Sequence, residues 1–329
     1  MAYEKERKVA IEAVISTCGL CREVQADLLS RDSISKGDRT PVTMADFGAQ
    51  ALISHHLKNA FPDDLLVGEE DSRLLRKAEN RGVKEAVVKI VHRFNPHLSP
   101  RDVLDAIDRG TAKGGPEGRF WIVDPIDGTK GFLRKDQFAV ALALMEEGEV
   151  VLGILGCPNL PLNDLASKGI RGSLFIAVKG EGAFIRSLEE TREEKIRVDD
   201  VSDPSLALFC ESVESAHASH EDTARVARDA GIKKSPLRMD SMCKYGIVAR
   251  GDASFYLRIP GRKSYVEKIW DHAAGFIMVH EAGGKVTDID GRPLNFTLGR
   301  TLDAKGILAS NGRIHQQVLE ALKNLPAAN

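Results

Sequence analysis

The residues best suited to chemistry in this chain are two aspartates, Asp124 and Asp127, at the end of an apolar run that begins at Phe120. Carboxylates on a tight turn after a buried strand are well placed to share hard divalent cations, which prefer oxygen ligands. The Gly-Thr-Lys-Gly tetrapeptide at 128–131 is small and leaves room for a phosphate to reach backbone N–H groups. The segment 120–132 therefore predicts the site of a metal-dependent phosphatase.

Carboxylates elsewhere in the chain could complete this site. Glu69 follows a short apolar strand, Asp271 stands at the start of a helix, and the Ile126 carbonyl lies between the two aspartates. Four acidic side chains brought together repel one another strongly unless cations separate them. Paired Mg²⁺ ions neutralise a phosphate, activate water and stabilise a leaving oxygen, which is what phosphate ester hydrolysis needs.

Each acidic residue also has a purely structural interpretation. The segment 124–128 could be only a β-turn, since Pro, Asp and Gly are common turn formers. Glu69 and Glu70 could be a solvated pair, and Asp271 could simply favour a helix N-terminus. Asp46 could be only a helix cap, because Thr43 and Asp46 have the spacing of a capping box. The functional interpretation is favoured because every one of these acids falls at the end of an element, where a site could assemble.

The composition of the chain limits which kinds of molecule we expect it to bind. The 329 residues are 43% hydrophobic and 29% charged, as in a globular protein long enough for two domains. A net charge of −2 gives no electrostatic argument for nucleic acid or an anionic membrane. No segment approaches the ~18 apolar residues of a membrane span, and the charged N-terminus lacks a signal-peptide core. We therefore expect a small-molecule substrate, with no nucleic acid, no membrane and no obligatory protein partner.

The five cysteines predict a reducing compartment, since their number is odd and their spacing scattered. Cys18 and Cys21 form a C-x-x-C pair, which could suggest redox or zinc chemistry. A second pair is missing, and the spacing also fits one face of a helix, so we predict that both belong to the core.

The elements that must position these residues follow from periodicity. Apolar spacing predicts long helices at 4–30 and from Pro41 to about Asn59. The segment 72–117 is predicted to be a surface insertion or flap, in which Ser99-Pro100 starts a helix that Gly110 ends. Further helices are predicted from Trp270 to Gly283-Gly284 and over 313–324. Strands are predicted at 65–68, 119–124, 137–145, 150–156 and 173–178.

Three motifs carry a resemblance to a known family. Val67-Gly68-Glu69-Glu70, Asp124-Pro-Ile-Asp-Gly-Thr129 and Trp270-Asp271-His272-Ala273-Ala274-Gly275 occur in this order. The chain resembles the lithium-sensitive, magnesium-dependent phosphomonoesterase superfamily that includes inositol monophosphatase and fructose 1,6-bisphosphatase. Within it, the chain is similar to the 3′(2′),5′-bisphosphate nucleotidases of the fungal and plant type. The segments that carry this narrower similarity include 118–121, 129–134, 137–140, 156–160, 256–258 and 264–270.

The resemblance implies an α+β fold, a layered αβαβα sandwich. Its N-terminal α+β domain would span 1–198, and a smaller α/β nucleotide-binding domain would span 199–329, with the metals in the cleft between them. Two to three Mg²⁺ ions would be held by Glu69, Asp124, the Ile126 carbonyl, Asp127 and Asp271. Asp46 and Thr129 would be catalytic, with Asp46 accepting a hydrogen bond from a Thr129 hydroxyl that orients the attacking water.

The resemblance also implies how the substrate is held. Ser241, Lys244 and Arg258 would bind the 5′-phosphate, and His217 would lie near the nucleoside. Lys244 and Arg258 could instead be surface charges, and sequence alone barely separates His217 from His220. The remaining predicted substrate contacts are Asp127, Gly128, Thr129 and Asp271.

The function implied is hydrolysis of 3′-phosphoadenosine 5′-phosphate to AMP and phosphate, and action on the 5′-phosphosulfate analogue. A role in sulfate assimilation, inhibition by Li⁺ or Na⁺ and a cytoplasmic location are implied as well. One alternative is an inositol-phosphate phosphatase on the same scaffold. Another is a catalytically silent nucleotide sensor, against which the complete set of acidic residues argues.

Overall fold

The computed structural model describes residues 2–30, 40–165, 169–214, 219–259 and 266–325. Among these residues the α-helices are α1 Glu4–Ser30, α2 Thr40–Ala60, α3 Arg81–Phe94, α4 Pro100–Asp108, α5 Thr129–Arg134, α6 His220–Asp229, α7 Cys243–Ala249, α8 Ala273–Glu281 and α9 His315–Lys323. The strands are β1 Leu65–Gly68, β2 Arg119–Asp127, β3 Ala139–Glu146, β4 Glu149–Pro161, β5 Arg171–Val178, β6 Gly182–Ser187, β7 Glu194–Ile196, β8 Phe209–Glu211, β9 Leu237–Arg238, β10 Phe255–Arg258, β11 Lys285–Thr287 and β12 Ile307–Ser310.

The first sheet contains β1 to β7 in chain order. Only β1 and β2 run parallel in it, and the other neighbours are antiparallel. Along β2 successive side chains enter different cores: Trp121 and Val123 join the core under α1 and α2, whereas Phe120 and Ile122 join the core under α7 and α8. Both faces of the sheet are thus covered, which explains its nearly continuous apolar sequence.

The second sheet has the order β11-β12-β10-β8-β9. Alternation again divides its side chains between two cores. Tyr256 packs with α7 and α8, while its neighbours Phe255 and Leu257 pack with α6 and α9. Helices therefore lie outside each sheet and between the two, which confirms the predicted αβαβα layering of an α+β protein. The division into domains 1–198 and 199–329 stays a prediction.

The segment 72–117, which we predicted to be a surface insertion or flap, contains two helices that pack against α2. Its helices α3 and α4 bury Val87, Val91, Val103 and Ile107 in the same core as α2. Both helices are strongly amphipathic, so their apolar faces are drawn into that core. The predicted start at Ser99 is confirmed, since Ser99 and Asp102 form a capping box. A flap role for the segment stays a prediction.

All five cysteines are free and buried, which confirms the core interpretation of Cys18 and Cys21. Burial raises the pKa of the Cys18 thiol to about 12. No helix in the described ranges is both long and apolar enough to span a bilayer.

Candidate active site

The turn after β2 places both of its aspartates in one cavity. Residues three apart in a regular strand point to opposite faces. Here Asp124 pairs with Ala141 and Asp127 with Ala139, so β2 contains one more residue than β3 over this stretch. Such a bulge re-aims a side chain and tolerates a proline that cannot donate, here Pro125. Asp124 and Asp127 consequently both line a cavity of about 210 Å³.

Two other elements bring Glu69 and Asp271 to this cavity. Strand β1 lies parallel to β2 with Gly68 opposite Val123, so Glu69 emerges beside Asp124. The Glu69 carboxylate is close enough to Asp124 to raise the pKa of Asp124. Asp271 ends a 3₁₀ turn directly before α8. The structure thus brings together all four predicted carboxylates, and Ile126 also lines the cavity.

The four carboxylates of this cluster do not have the same charged neighbours, and those of Glu69 and Asp124 are mainly acidic. Burial raises the pKa of Glu69 to about 8, and the nearby carboxylates of Glu70, Asp271 and Asp127 contribute. Burial and the Glu69 charge likewise raise the pKa of Asp124 well above its usual range. Asp127 instead has positive neighbours: Lys244 and Arg258 offset part of the increase that burial causes in the pKa of Asp127. The cavity therefore has an acidic end at Glu69 and Asp124 and a basic end at Lys244 and Arg258.

The acidic end fits a hard divalent cation. Asp124 Oδ1 is buried and has no hydrogen-bond partner among the described residues. An orphaned carboxylate oxygen in a low-dielectric site is costly unless something positive meets it. The surrounding donors are carboxylate oxygens, which are the ligands that Mg²⁺ prefers.

Asp46 is not one of the residues that line the cavity. Helix α2 begins at Thr40, so Asp46 falls in its second turn and is not the cap that the sequence allowed. The carboxylate is buried, its Oδ1 atom has no hydrogen-bond partner in the described part of the chain, and burial followed by the charges of Glu70 and Glu69 raises its pKa. Thr129 begins α5 and does line the cavity. The predicted hydrogen bond between Asp46 and Thr129 stays a prediction.

The predicted phosphate-binding residues lie at the basic end, and Gly128 lines the cavity beside them. Ser241 adopts a positive φ of 66°, a region that few non-glycine residues enter. The Lys244 ammonium is buried and donates to the carbonyls of Met239 at 3.0 Å and Ser241 at 2.7 Å. A lysine has three N–H donors, so one remains for a ligand. Lys244 is therefore not a surface charge, and it also organises its own loop.

Arg258 is held from behind by a buried polar network. Its Nε atom donates to Glu267 Oε1 at 2.8 Å, and Glu267 Oε2 lies 3.0 Å from His272 Nε2. The other imidazole nitrogen, Nδ1, lies 2.8 Å from the Tyr245 hydroxyl. Glu267, Asp271 and His272 are close enough to suggest a metal triad. Because both imidazole nitrogens are already engaged, we interpret this group as a network that orients Arg258.

His217 lies outside the described residues. His220 begins α6, and its Nε2 atom lies 2.9 Å from the Ser212 carbonyl. His220 is not among the residues that line the cavity.

Sequence reasoning assigned no individual role to several residues around this cavity. Glu267 and Arg134 lie inside segments that resemble the nucleotidases, but nothing local indicates which residues they pair with. The additional lining residues are Lys130, Ser212, Glu214, Asp240, Met242, Tyr245, Tyr256 and His272.

Comparisons with known proteins show the family of this chain. The profile of the inositol monophosphatase family matches residues 2–327. A rice protein, the 3′(2′),5′-bisphosphate nucleotidase of Oryza sativa, is 44% identical over 98% of this chain and 94% of its own length. The 3′(2′),5′-bisphosphate nucleotidase 1 of Arabidopsis thaliana is 47% identical over 86% of this chain and 85% of its own.

Solved structures show the same fold. The inositol monophosphatase from Zymomonas mobilis superimposes with a TM-score of 0.67 at 21% identity, covering 98% of this chain and 99% of its own. The inositol monophosphatase from Anabaena gives a TM-score of 0.64 at 21% identity, covering 99% and 98%. At such low identity these structures support the fold alone.

Proposed function

The chain belongs to the inositol monophosphatase family of hydrolases, and from this membership we propose that it is a Mg²⁺-dependent 3′(2′),5′-bisphosphate nucleotidase. Its reaction would convert 3′-phosphoadenosine 5′-phosphate to AMP and phosphate. The observation that carries the proposal is the two-ended cavity, with Glu69 and Asp124 at one end and Lys244 and Arg258 at the other. A substrate with two phosphates can place one at each end, whereas an inositol monophosphate has a phosphate for only one.

Glu69, Asp124, Asp127, Asp271 and the Ile126 carbonyl would hold two to three Mg²⁺ ions. When bound, these ions would neutralise the reacting phosphate and lower the pKa of the attacking water.

The chain's own residues would then orient the reaction. The Thr129 hydroxyl would donate a hydrogen bond to the buried Asp46 carboxylate, and its oxygen would accept a hydrogen bond from the attacking water and so orient it. The water attacks phosphorus in line with the ribose oxygen, so the new P–O bond forms as the old one breaks. Transfer goes directly to water, without a phosphoenzyme.

The second phosphate would be held away from the reacting atoms. Arg258 offers a planar guanidinium and Lys244 a point charge, and both suit phosphate. Ser241 would add a hydroxyl donor, and His217 would contact the nucleoside.

We extend the proposal to the 5′-phosphosulfate analogue, which differs only beyond the 5′-phosphate, and to a role in sulfate assimilation. Li⁺ resembles Mg²⁺ in size but carries half the charge, so it would occupy a metal position without supporting turnover. We propose a cytoplasmic location, which the buried, unpaired cysteines support.

A phosphate-release panel tests the function. The adenosine bisphosphate, the phosphosulfate and inositol monophosphate would each be assayed with and without Mg²⁺, and again with millimolar Li⁺. We expect Mg²⁺-dependent release from the first two and inhibition by Li⁺. Comparable turnover of inositol monophosphate would indicate the inositol-phosphate phosphatase instead, and tight nucleotide binding without release would indicate the sensor.

A further inference from the structure

Arg300 contacts the residues that immediately precede two of the proposed metal ligands. Its guanidinium donates to the carbonyl of Gly68, the residue before Glu69. It also donates to the carbonyls of Gly110 and Ala112, each at 2.9 Å. The same group lies 4.7 Å from the ring centroid of Trp270, the residue before Asp271.

Gln50 holds the same segment from the opposite side. Its Nε2 atom donates to the carbonyls of Glu70 at 2.6 Å and Ile107 at 2.8 Å, and its Oε1 accepts from the Glu70 N–H at 3.0 Å. The fit is tight, because a Cβ at Gly110 would lie 2.3 Å from Gln50 Nε2. The chain around Glu69 is thus fixed by Gln50 on one side and by Arg300 on the other.

The C-terminal end of β1, which leads into Glu69, depends on these contacts to keep its position. Strand β1 has only four residues and stands last in the strand order of its sheet. On its other side it meets a single antiparallel bridge, between Val67 and Thr111, and the carbonyls on either side of Thr111 are two of those that Arg300 binds. Glu69 and Asp271 both line the cavity, and their like charges oppose a close approach. Without a restraint, repulsion would move the end of β1 away from the turn that carries Asp271.

We propose that Arg300 is a positioning residue that fixes Glu69 and Asp271 at the separation needed to bind Mg²⁺. This inference rests on the proposed function. Arg300 touches neither carboxylate, and it acts through the Gly68 carbonyl and the Trp270 ring. Residues that orient metal ligands typically contribute 10–100-fold to metal affinity or activity.

Arg109 provides a matched control. It is also a partly buried arginine that donates to backbone carbonyls, those of Ser54 at 2.9 Å and Asp64 at 2.8 Å. These contacts fix the opposite end of β1, and Arg109 does not line the cavity. Arg109→Met therefore removes a comparable set of hydrogen bonds without disturbing the residues next to Glu69 or Asp271.

The test measures Mg²⁺ binding directly, by titration calorimetry on the full chain, together with kcat and KM. We expect Arg300→Met to weaken Mg²⁺ affinity by about 10–100-fold, with a smaller change in substrate KM at saturating Mg²⁺. Arg300→Lys should give an intermediate loss, because one ammonium cannot bridge three carbonyls and stack on an indole. Arg109→Met should bind Mg²⁺ like the wild type.

Equal Mg²⁺ affinity in Arg300→Met and Arg109→Met would overturn this inference and leave the proposed function intact. If Arg300→Met does not fold, Arg300→Lys is compared with Arg109→Lys on the same criterion. A wild-type protein that neither binds Mg²⁺ nor releases phosphate would overturn both.

Discussion

Asp124 combines deep burial, a raised pKa and a carboxylate oxygen that has no partner among the described residues. Replacing it with Asn keeps the shape and removes the charge. We expect Asp124→Asn to lower Mg²⁺-dependent phosphate release by at least about 100-fold, since even residues behind metal ligands contribute up to that factor. Without Mg²⁺ the variant should melt at a higher temperature than the wild type, because one source of repulsion is gone.

The control for this prediction is Asp63→Asn, at an exposed aspartate outside the cavity. It should alter neither release nor melting. If Asp124→Asn hydrolysed the bisphosphate at the wild-type rate, the proposed metal site would be wrong.

Glu267 gives a second prediction at the residue scale. It holds Arg258 by a hydrogen bond of 2.8 Å, and hydrogen bonds to charged groups contribute about 1.5–3 kcal/mol. We expect Glu267→Gln to raise KM for the adenosine bisphosphate by roughly tenfold, with a smaller effect on kcat. Steady-state kinetics with the bisphosphate and with a substrate that has a single phosphate would measure this.

Glu211→Gln is the matched control, because Glu211 is equally buried and binds Arg238 at 3.0 Å outside the cavity. Its kinetics should be unchanged. An equal loss on the singly phosphorylated substrate would show that Glu267 does not act through the second phosphate.

At the residue scale, the sequence identified those site residues whose role is indicated by their immediate neighbours in the chain. Asp124 and Asp127 stand three residues apart, and their neighbours indicate a strand and a turn. The pairing of Arg258 with Glu267, or of Arg300 with Gly68, has no local sign, because each depends on how distant segments meet. Motifs therefore identified the proposed ligands, while the residues that hold them became visible only in three dimensions.

At the scale of the elements, the turn from β2 into α5 is tightly constrained at Gly128. Gly128 has a φ of +87°, and a Cβ there would lie 2.8 Å from the Cβ of Ser241. We expect Gly128→Ala to cost about 1–3 kcal/mol of unfolding free energy from backbone strain, and more from the clash. Phosphate release should fall sharply, because the turn would be pushed from the loop that carries Ser241.

Gly180→Ala separates the backbone strain from the steric clash. Gly180 has a φ of +78°, but no atom lies within 4 Å of an added Cβ. Urea unfolding and phosphate release should show a modest loss of stability and full activity for this control. Equal behaviour of the two variants would mean that contact with Ser241 does not matter.

His315 links α9 to the second sheet and predicts a pH dependence. It is buried between Thr287 Oγ1 at 3.0 Å and Ser310 Oγ at 2.7 Å. Burial, with the nearby Lys285 charge, lowers its pKa to about 4 from 6.5. Below pH 6.5 the unfolded chain binds a proton that the folded chain does not, so stability falls as the pH falls toward 4.

From these pKa values, the His315 contribution should drop by about 2 kcal/mol between pH 8 and pH 5. Urea unfolding would show the stability gap between wild type and His315→Gln narrowing by about that amount. With His280→Gln, at an exposed histidine, the gap should stay constant. A gap that did not narrow for His315→Gln would contradict the buried neutral state.

Periodicity predicted most elements well, including α1, α4, β1 and β2. It placed the start of α2 at Pro41, one residue after the observed start at Thr40. Thr43 and Asp46 have a capping spacing, but the helix continues to Thr40, so the local signal was overridden. The apolar faces of α3 and α4 are buried in the same core as α2, a contact between segments that local periodicity does not reveal.

Across the whole molecule, an ion cluster joins the catalytic turn to the second half of the chain. Arg134 on α5 pairs with Glu214 at 2.5 Å and with Asp240 at 2.6 Å, and Lys130 also pairs with Glu214 at 2.9 Å. Asp240 directly precedes Ser241. Arg134 therefore connects the element that follows the metal turn to the loop proposed to bind the second phosphate.

We expect Arg134→Gln to raise KM for the adenosine bisphosphate several-fold while changing stability by less than about 1 kcal/mol, because these pairs are partly exposed. Arg81→Gln removes an exposed pair with Glu85 on α3 and should change neither quantity. Kinetics and urea unfolding of both variants would test this, and an unchanged KM would mean that the cluster does not position the loop.

Because its five cysteines are buried, the rate at which they are alkylated would measure how often the protein opens. In the folded state every thiol is shielded, so an alkylating reagent should label a molecule only while it is partly or wholly open. Cys243 stands beside Lys244 at the proposed nucleotide loop, whereas Cys21 lies in α1. Comparing their labelling rates would show whether this loop opens separately from the rest of the chain, and whether a bound nucleotide keeps it closed.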